Sequence, residues 1–336
     1  QVPLAVWRPA GRPTPADEKA SETYAHRIDI GRIAQRLGVR WLGWLPARDR
    51  PIPVGASATG LADGAAAEIG QVQSSDCVVF FAHGFLGSRF DCMGVCEALA
   101  AEGFTVAAPE LPESLAASYD PSEIVNRLSI FAAVHTRFQE LAMPNQVRFG
   151  IFGQSAGAGT ATMLPSTFEL GRCAICAFRG FGGTDPLLVV ASSGDNVIPI
   201  NFIVGALRDN AAAGRSTRFF ETAVQAQNVY SAADGSTQPK RGALIFAAKG
   251  DSEQFAEAGI AIETSLDPAP NHLSFLSTGT NDAMLGVLAP LIPIARILGV
   301  RMLDFDVYTK NRDSAATAAL FVPAVVAFFV ANVRRR

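Results

Sequence analysis

The sequence predicts an α/β fold, a mostly parallel central sheet with helices on both faces, and two observations lead there. Short apolar runs recur between stretches of helical pattern: "CVVFFAHG" from 77, "FTVAAPE" from 104, "VRFGIFG" from 147, "CAICAF" from 173, "LLVVASSGD" from 187 and "ALIFAAKGD" from 243. Their hydrophobicity is continuous rather than alternating, the mark of strands covered on both faces and joined by crossover helices. The second observation is "FGQSAGAG" at 152–159, where a strand runs through a glycine-framed turn into a helical segment. At 336 residues the chain is long enough to bury a sizeable core around such a sheet.

Taken in order, "PLAVWRPA" reads as a strand, "IGRIAQRLGV" as a helix, and residues 51–74, rich in Gly, Ala and Ser, as a long loop. Residues 1–76 are expected to belong to the same domain as the core at 77–336, which carries insertions near 200–242 and 252–303. Between the second and third runs, "DPSEIVNRLSIFAAVHTRFQEL" has Asp120 as N-cap, Pro121 in the first turn and Glu123 three positions on. Its residues Ile124, Leu128, Phe131, Phe138 and Leu141 share one face of a crossover helix. The polar stretch at 232–242 is a second loop, and no internal repeat stands out.

A net charge of −3, with Arg334, Arg335 and Arg336 as the only basic block, argues against a nucleic-acid partner. Mean hydropathy of +0.22 with only 18% charged residues points instead to apolar substrates or a lipid surface. Two segments carry the excess. Residues 283–303 contain Pro290, Pro293 and Arg296, which argues against a spanning helix. Residues 314–333 are long enough to span a bilayer, but Pro323 and the many alanines favour a helix packed on the sheet. Peripheral membrane contact is the expectation kept for these two segments. Cys77, Cys92, Cys96, Cys173 and Cys176 all sit in apolar segments, which fits burial and a reduced compartment. Cys173 and Cys176 are read as core, and Asp304, Asp306 and Asp313 lack the spacing of a calcium loop. No metal or cofactor is expected.

Chemistry concentrates at Ser155. Gly153 and Gly157 stand two residues away on each side, the G-x-S-x-G pattern that lifts a serine above a sheet edge at the start of a helix. A serine hydroxyl needs a base, and the chain has four histidines. His26 precedes the sheet, His135 lies within the crossover helix, and His83 in "HGFLGS" reads as support for its own loop. His272, after the last strand, is the base expected for the order serine, acid, histidine. Asp195 in "SSGDNVIP" stands at a strand end and is the preferred acid, with Asp185 and Asp251 as alternatives. The amides of Phe85 and Ala156 are the expected oxyanion donors, Leu86 being the reserve for the first. Leu86 and Gln154 are expected to contact substrate.

On these residues the chain resembles the α/β-hydrolase superfamily over about 75–335, and within it the branch of platelet-activating-factor acetylhydrolases and chlorophyllases. "FFAHGFLGSRFDCMGVCEALAAEGFTVAAPE" is similar to both groups, "FTVAAPELPESLAAS" leans toward chlorophyllases, and "NHLSFLSTGTNDAM" with the C-terminal helix leans toward the acetylhydrolases. The resemblance implies a serine carboxylesterase with Ser155 and His272 in its triad, chlorophyll or a phospholipid as the ester, and a chloroplast location in the chlorophyllase case. The chain departs from the branch in two ways. Gln154 precedes Ser155 where the branch has His, and "CAICAFRGFGG" carries no carboxylate after the strand from which the branch takes its acid.

Overall fold

The computed structural model describes residues 2–9, 23–36, 40–53, 77–114, 126–142, 147–192, 194–195, 197–213, 242–249, 263–266, 270–288, 293, 297 and 313–333. Its strands are β1 (Leu4–Trp7), β2 (Thr23–Asp29), β3 (Ala47–Pro53), β4 (Cys77–Ala82), β5 (Phe104–Pro109), β6 (Arg148–Gln154), β7 (Gly171–Ile175), β8 (Leu187–Ser192), β9 (Gly242–Lys249) and β10 (Glu263–Leu266). Eight of them form one sheet in the order β1-β5-β4-β6-β7-β8-β9-β10, while β2 and β3 pair antiparallel by themselves.

The five central strands, β5 through β8, run parallel as the apolar runs predict. Both flanks turn antiparallel: β1 on β5, β9 on β8 and β10 on β9. Continuous hydrophobicity reports cover on both faces but not direction, so β9 looks like its parallel neighbours in sequence. Nothing in the sequence points to the β2–β3 pair, because "ARDRPIP" is polar and carries two prolines. In the parallel part Ala82 stands opposite Gly153, Gln154 opposite Ile175, and Ile175 opposite Val190. The ends of β4, β6, β7 and β8 therefore lie on one line, and the loops that leave them share one edge.

The helices are α1 (Ile30–Arg36), α2 (Met93–Ala101), α3 (Arg127–Ala142), α4 (Ala156–Met163), α5 (Ile200–Ala212), α6 (Thr278–Leu288) and α7 (Ser314–Val333). Two-residue alternation along β4 serves both faces of the sheet. Phe81 stacks on Phe152 at 4.7 Å on the face covered by α2 and α7. Phe80 meets Phe131 and Phe138 of α3 edge-on from the other side. Helix α3 starts at Arg127, behind Asn126, whose side chain accepts the Ser129 N–H at 2.8 Å. Asp120, Pro121, Glu123 and Ile124 lie outside the described residues.

Helix α7 buries Phe321, Val325, Phe328 and Phe329 against the sheet, and Pro323 stands on its exposed side. It is the one described helix long and apolar enough to cross a membrane. It also reaches the site, because Phe321 packs against Phe275 at 5.2 Å in the 3-10 turn His272–Phe275. All five cysteines are buried, and none is joined in a disulfide. Much of the expected insertions, with Asp251, Arg296, Asp304 and Asp306, falls outside the described residues.

Candidate active site

Strand β6 delivers Ser155 to the edge in a conformation that only tight packing sustains. Its φ of 56° and ψ of −121° are outside the ordinary regions for a side-chain-bearing residue. The two framing glycines have a steric reason. A Cβ on Gly153 would come within 2.1 Å of the Gly157 carbonyl oxygen, and one on Gly157 within 1.8 Å of the Ala82 oxygen. Nothing larger than hydrogen fits where β4, β6 and α4 converge. The Ser155 N–H is tied to the Ile175 oxygen at 2.8 Å, which leaves the side chain to project from the turn.

His272 and Asp195 meet this serine. The imidazole Nε2 lies 2.8 Å from Ser155 Oγ, and Nδ1 lies 2.7 Å from Asp195 Oδ2. A carboxylate only accepts, so Nδ1 carries the proton and Nε2 is free to accept from the serine hydroxyl. The other Asp195 oxygen accepts the N–H groups of Val197 and Ile198, both at 2.9 Å, which fixes the carboxylate. Three contacts hold the histidine segment. Ser192 Oγ donates to the Pro270 oxygen at 2.5 Å, Asn271 Oδ1 caps the turn by accepting from Leu273 and Ser274, and Gln154 Nε2 donates to the His272 oxygen at 3.3 Å. Gln154, expected beside substrate, is thus buried and committed to the histidine segment.

The alternative acid Asp185 falls elsewhere. Asp185 accepts from Arg172 Nε at 2.7 Å at the start of β8, the opposite edge of the sheet. Asp251 lies outside the described residues; β9, which it follows in sequence, ends with Lys249 opposite Leu187, again at the far edge. Among the other histidines, His135 is packed among Phe80, Phe149 and Phe168 on the second face, and burial lowers its pKa. His26 pairs in β2 with Arg50 of β3.

The loop after β4 flanks the serine. A Cβ on Gly84 would lie 3.3 Å from Ser155 Cβ, so the backbone there passes directly beside Ser155. Gly87 N–H closes a turn on the Gly84 oxygen at 3.2 Å, with Leu86 at φ 57°. His83 Nδ1 donates to the Gly84 oxygen at 2.8 Å, and its Nε2 accepts the Leu111 N–H at 2.9 Å and lies 3.4 Å from Glu110 Oε1, so the ring braces two loops. Phe85 and Leu86 are exposed and half-buried respectively. Among the described residues neither the Phe85 nor the Ala156 N–H has a protein acceptor.

Sequence reasoning misses Cys176. Its Sγ, an Asp195 oxygen and a His272 nitrogen lie within 4.8 Å of one another, all three residues buried. Burial, then the neighbouring carboxylate, pushes the thiol well above its usual range, so the sulfur carries its proton beside Asp195. Its φ of 60° joins Leu86 and Ser155 as the non-glycine residues in left-handed backbone among those described, and all three border this site. Spacing could not have shown it, since "CAICAF" also reads as plain core.

A parallel sheet with antiparallel flanks, a strained serine between β6 and α4, and an acid and histidine after later strands define one architecture. This is the α/β-hydrolase fold. No family model matches the chain, and no curated protein matches it. Among solved structures it is similar to a lidless α/β serine hydrolase of Xanthomonas campestris, at 16% identity over 56% of this chain and 79% of that one, TM-score 0.34. It is similar to the Pyrococcus furiosus esterase Pf2001, at 16% identity over 50% and 53%, TM-score 0.27. A putative lipase of Acinetobacter baumannii matches at 21% identity over 34% and 38%, TM-score 0.25. The chain thus spans about half or less of the length of the latter two.

Proposed function

We propose that the chain is a serine esterase that cleaves an apolar carboxylic ester through an acyl-enzyme. The observation that carries this reading is the unbroken relay from Ser155 Oγ through His272 to Asp195, at 2.8 and 2.7 Å, with the serine in a strained turn. Ser155 attacks the ester carbonyl while His272 Nε2 takes its proton, and Asp195 holds the imidazole in the right tautomer. The amides of Phe85 and Ala156 hold the oxyanion. His272 then returns the proton to the departing alcohol, and water activated by the same nitrogen releases the acid. No step calls for a cofactor.

An apolar substrate is in keeping with the exposed Phe85 and Val197, 41% and 39% exposed, in the segments that follow β4 and Asp195. Chlorophyll, with its phytyl chain, is the preferred member of this class on the sequence resemblance, and a phospholipid with a short acyl chain is the next. The acid favours neither, because the branch containing both takes it from the end of β7, where this chain has Cys176. The test is hydrolysis of p-nitrophenyl esters of increasing chain length, dispersed chlorophyll and a short-chain phosphatidylcholine, by the wild type beside Ser155→Ala. Turnover that vanishes in the variant supports the esterase, and the best substrate names the class. A wild type that neither turns over any of them nor reacts with a fluorophosphonate at Ser155 sinks the reading in favour of a binding protein.

A further inference from the structure

The guanidinium of Arg127, at the start of α3, gathers groups from three other parts of the site's frame. Nη1 donates to the His83 oxygen at 2.8 Å and to Thr160 Oγ1 at 3.2 Å, Nη2 donates to the Gly84 oxygen at 3.1 Å, and Nε donates to Glu113 in the loop after β5. The ion pair is well shielded, with 13% and 16% of the two side chains exposed. Nothing in the relay requires this arrangement, and no sequence motif marks Arg127.

The effect on the site comes from peptide geometry. In a trans peptide the C=O and the next residue's N–H point to opposite sides. The Gly84 oxygen accepts from His83 Nδ1, from Arg127 Nη2 and from Gly87 N–H. Three donors on that oxygen fix the peptide plane and with it the direction of the Phe85 N–H. Flipping this peptide would reverse the Phe85 N–H and break a charge-assisted bond. The second donor's helix is held by the same side chain: Thr160 Oγ1, which accepts from Arg127, donates to the Ala156 oxygen at 3.2 Å in the first turn of α4.

We infer that Arg127, aligned by Glu113, is the positioning residue of the oxyanion hole: it holds the Gly84–Phe85 peptide and the first turn of α4 in one register, so that both amides face the reacting carbonyl. This rests on the esterase reading above. Arg127 touches no reacting atom, so its loss leaves substrate binding intact and weakens the transition state.

The test uses the full chain with Arg127→Met, Arg127→Lys and Glu113→Gln, each checked by thermal melting, on the best p-nitrophenyl ester. For folded Arg127→Met, kcat should fall roughly 10- to 100-fold, the scale of a misplaced catalytic group, with KM within about 3-fold. Affinity for a trifluoromethyl ketone, whose adduct with Ser155 carries the oxyanion, should fall by the same factor. Arg127→Lys, which keeps the charge and reaches one carbonyl, should recover part of kcat, as should guanidinium added to Arg127→Ala. Should Arg127→Met fail to fold, Glu113→Gln decides, with the same split at a smaller amplitude. An active wild type whose folded variants keep kcat and ketone affinity overturns the inference and leaves the esterase standing. A wild type inert to every ester and to fluorophosphonate overturns both.

Discussion

At the start of β7, Arg172 donates to the carbonyls of Ala161, Leu164 and Ser166 and pairs with Asp185. At the end of β4, Arg127 donates to the carbonyls of His83 and Gly84 and pairs with Glu113. The two arginines use the same chemistry at opposite edges of one sheet, and their surroundings differ. Arg172 lies between the rings of Phe168 and Phe181, at 4.6 and 5.0 Å, and closes the turn between α4 and β7. Around Arg127 the backbone is strained at Leu86 and Ser155, amides stand open at Phe85 and Ala156, and a second acid, Asp91, is buried. One edge ties a turn to the sheet; the other gathers strained backbone and open amides around Ser155.

That contrast can be broken from either side. The largest effect belongs to the strained edge: Ser155→Ala should lower turnover by about 10⁶-fold, the scale of nucleophile loss in a serine hydrolase. Its melting temperature should change little, since alanine keeps the backbone conformation and loses only the hydrogen bond to His272, worth about 1 kcal/mol. A clear fall in melting temperature would mean that the Ser155 hydroxyl is part of the fold's support. On the other edge, Arg172→Met should cost roughly 3 kcal/mol of stability by leaving the partly buried Asp185 without its cation and three carbonyls without their donor. Denaturant titration reads this, and specific activity per folded molecule should remain near wild type. A folded variant that loses activity would erase the distinction between the edges.

Asp91 gives the next effect. Burial raises its carboxyl from 3.8 to about 6, and His83, Glu110 and Arg127 are its titratable neighbours. Because the folded state holds the proton more tightly than the unfolded chain, the linked stability is complete below pH 3.8 and is lost as pH rises through about 6. Roughly two pH units at about 1.4 kcal/mol each put the loss at about 3 kcal/mol. Asp91→Asn, which cannot ionise, should flatten the stability profile between about pH 4 and 7; an unchanged profile would show that Asp91 is not the acid responsible. The smallest effect is at Cys176. If its thiol steadies the Asp195 carboxylate, Cys176→Ala should lower kcat about 5-fold, the worth of about 1 kcal/mol in one hydrogen bond, and Cys176→Ser should restore it. Equal activity in both variants would return Cys176 to the ordinary core.

Local signals in this sequence carry local facts. The apolar runs at 77, 104, 147, 173 and 187 are enough for the parallel centre of the sheet, because burial on both faces leaves its mark residue by residue. Gly153 and Gly157 are enough for the elbow, because the clash that they avoid lies within a few residues of Ser155. Elimination among four histidines selects His272, the one that lies beside Ser155 and Asp195. Direction and distant contact leave no such mark. The antiparallel course of β9 takes its C-terminal end to the far edge, and only pairing with β8 decides that. Placement at a strand end favours Asp195 over Asp185, but only the tertiary contacts, with His272 for one and Arg172 for the other, decide between them. Cys176 belongs to a hydrophobic run, Gln154 to a motif and Arg127 to a helix. Each gains its place from a partner far along the chain, 44 residues away for the Arg127 bond to His83, and no local pattern encodes a hydrogen bond of that span.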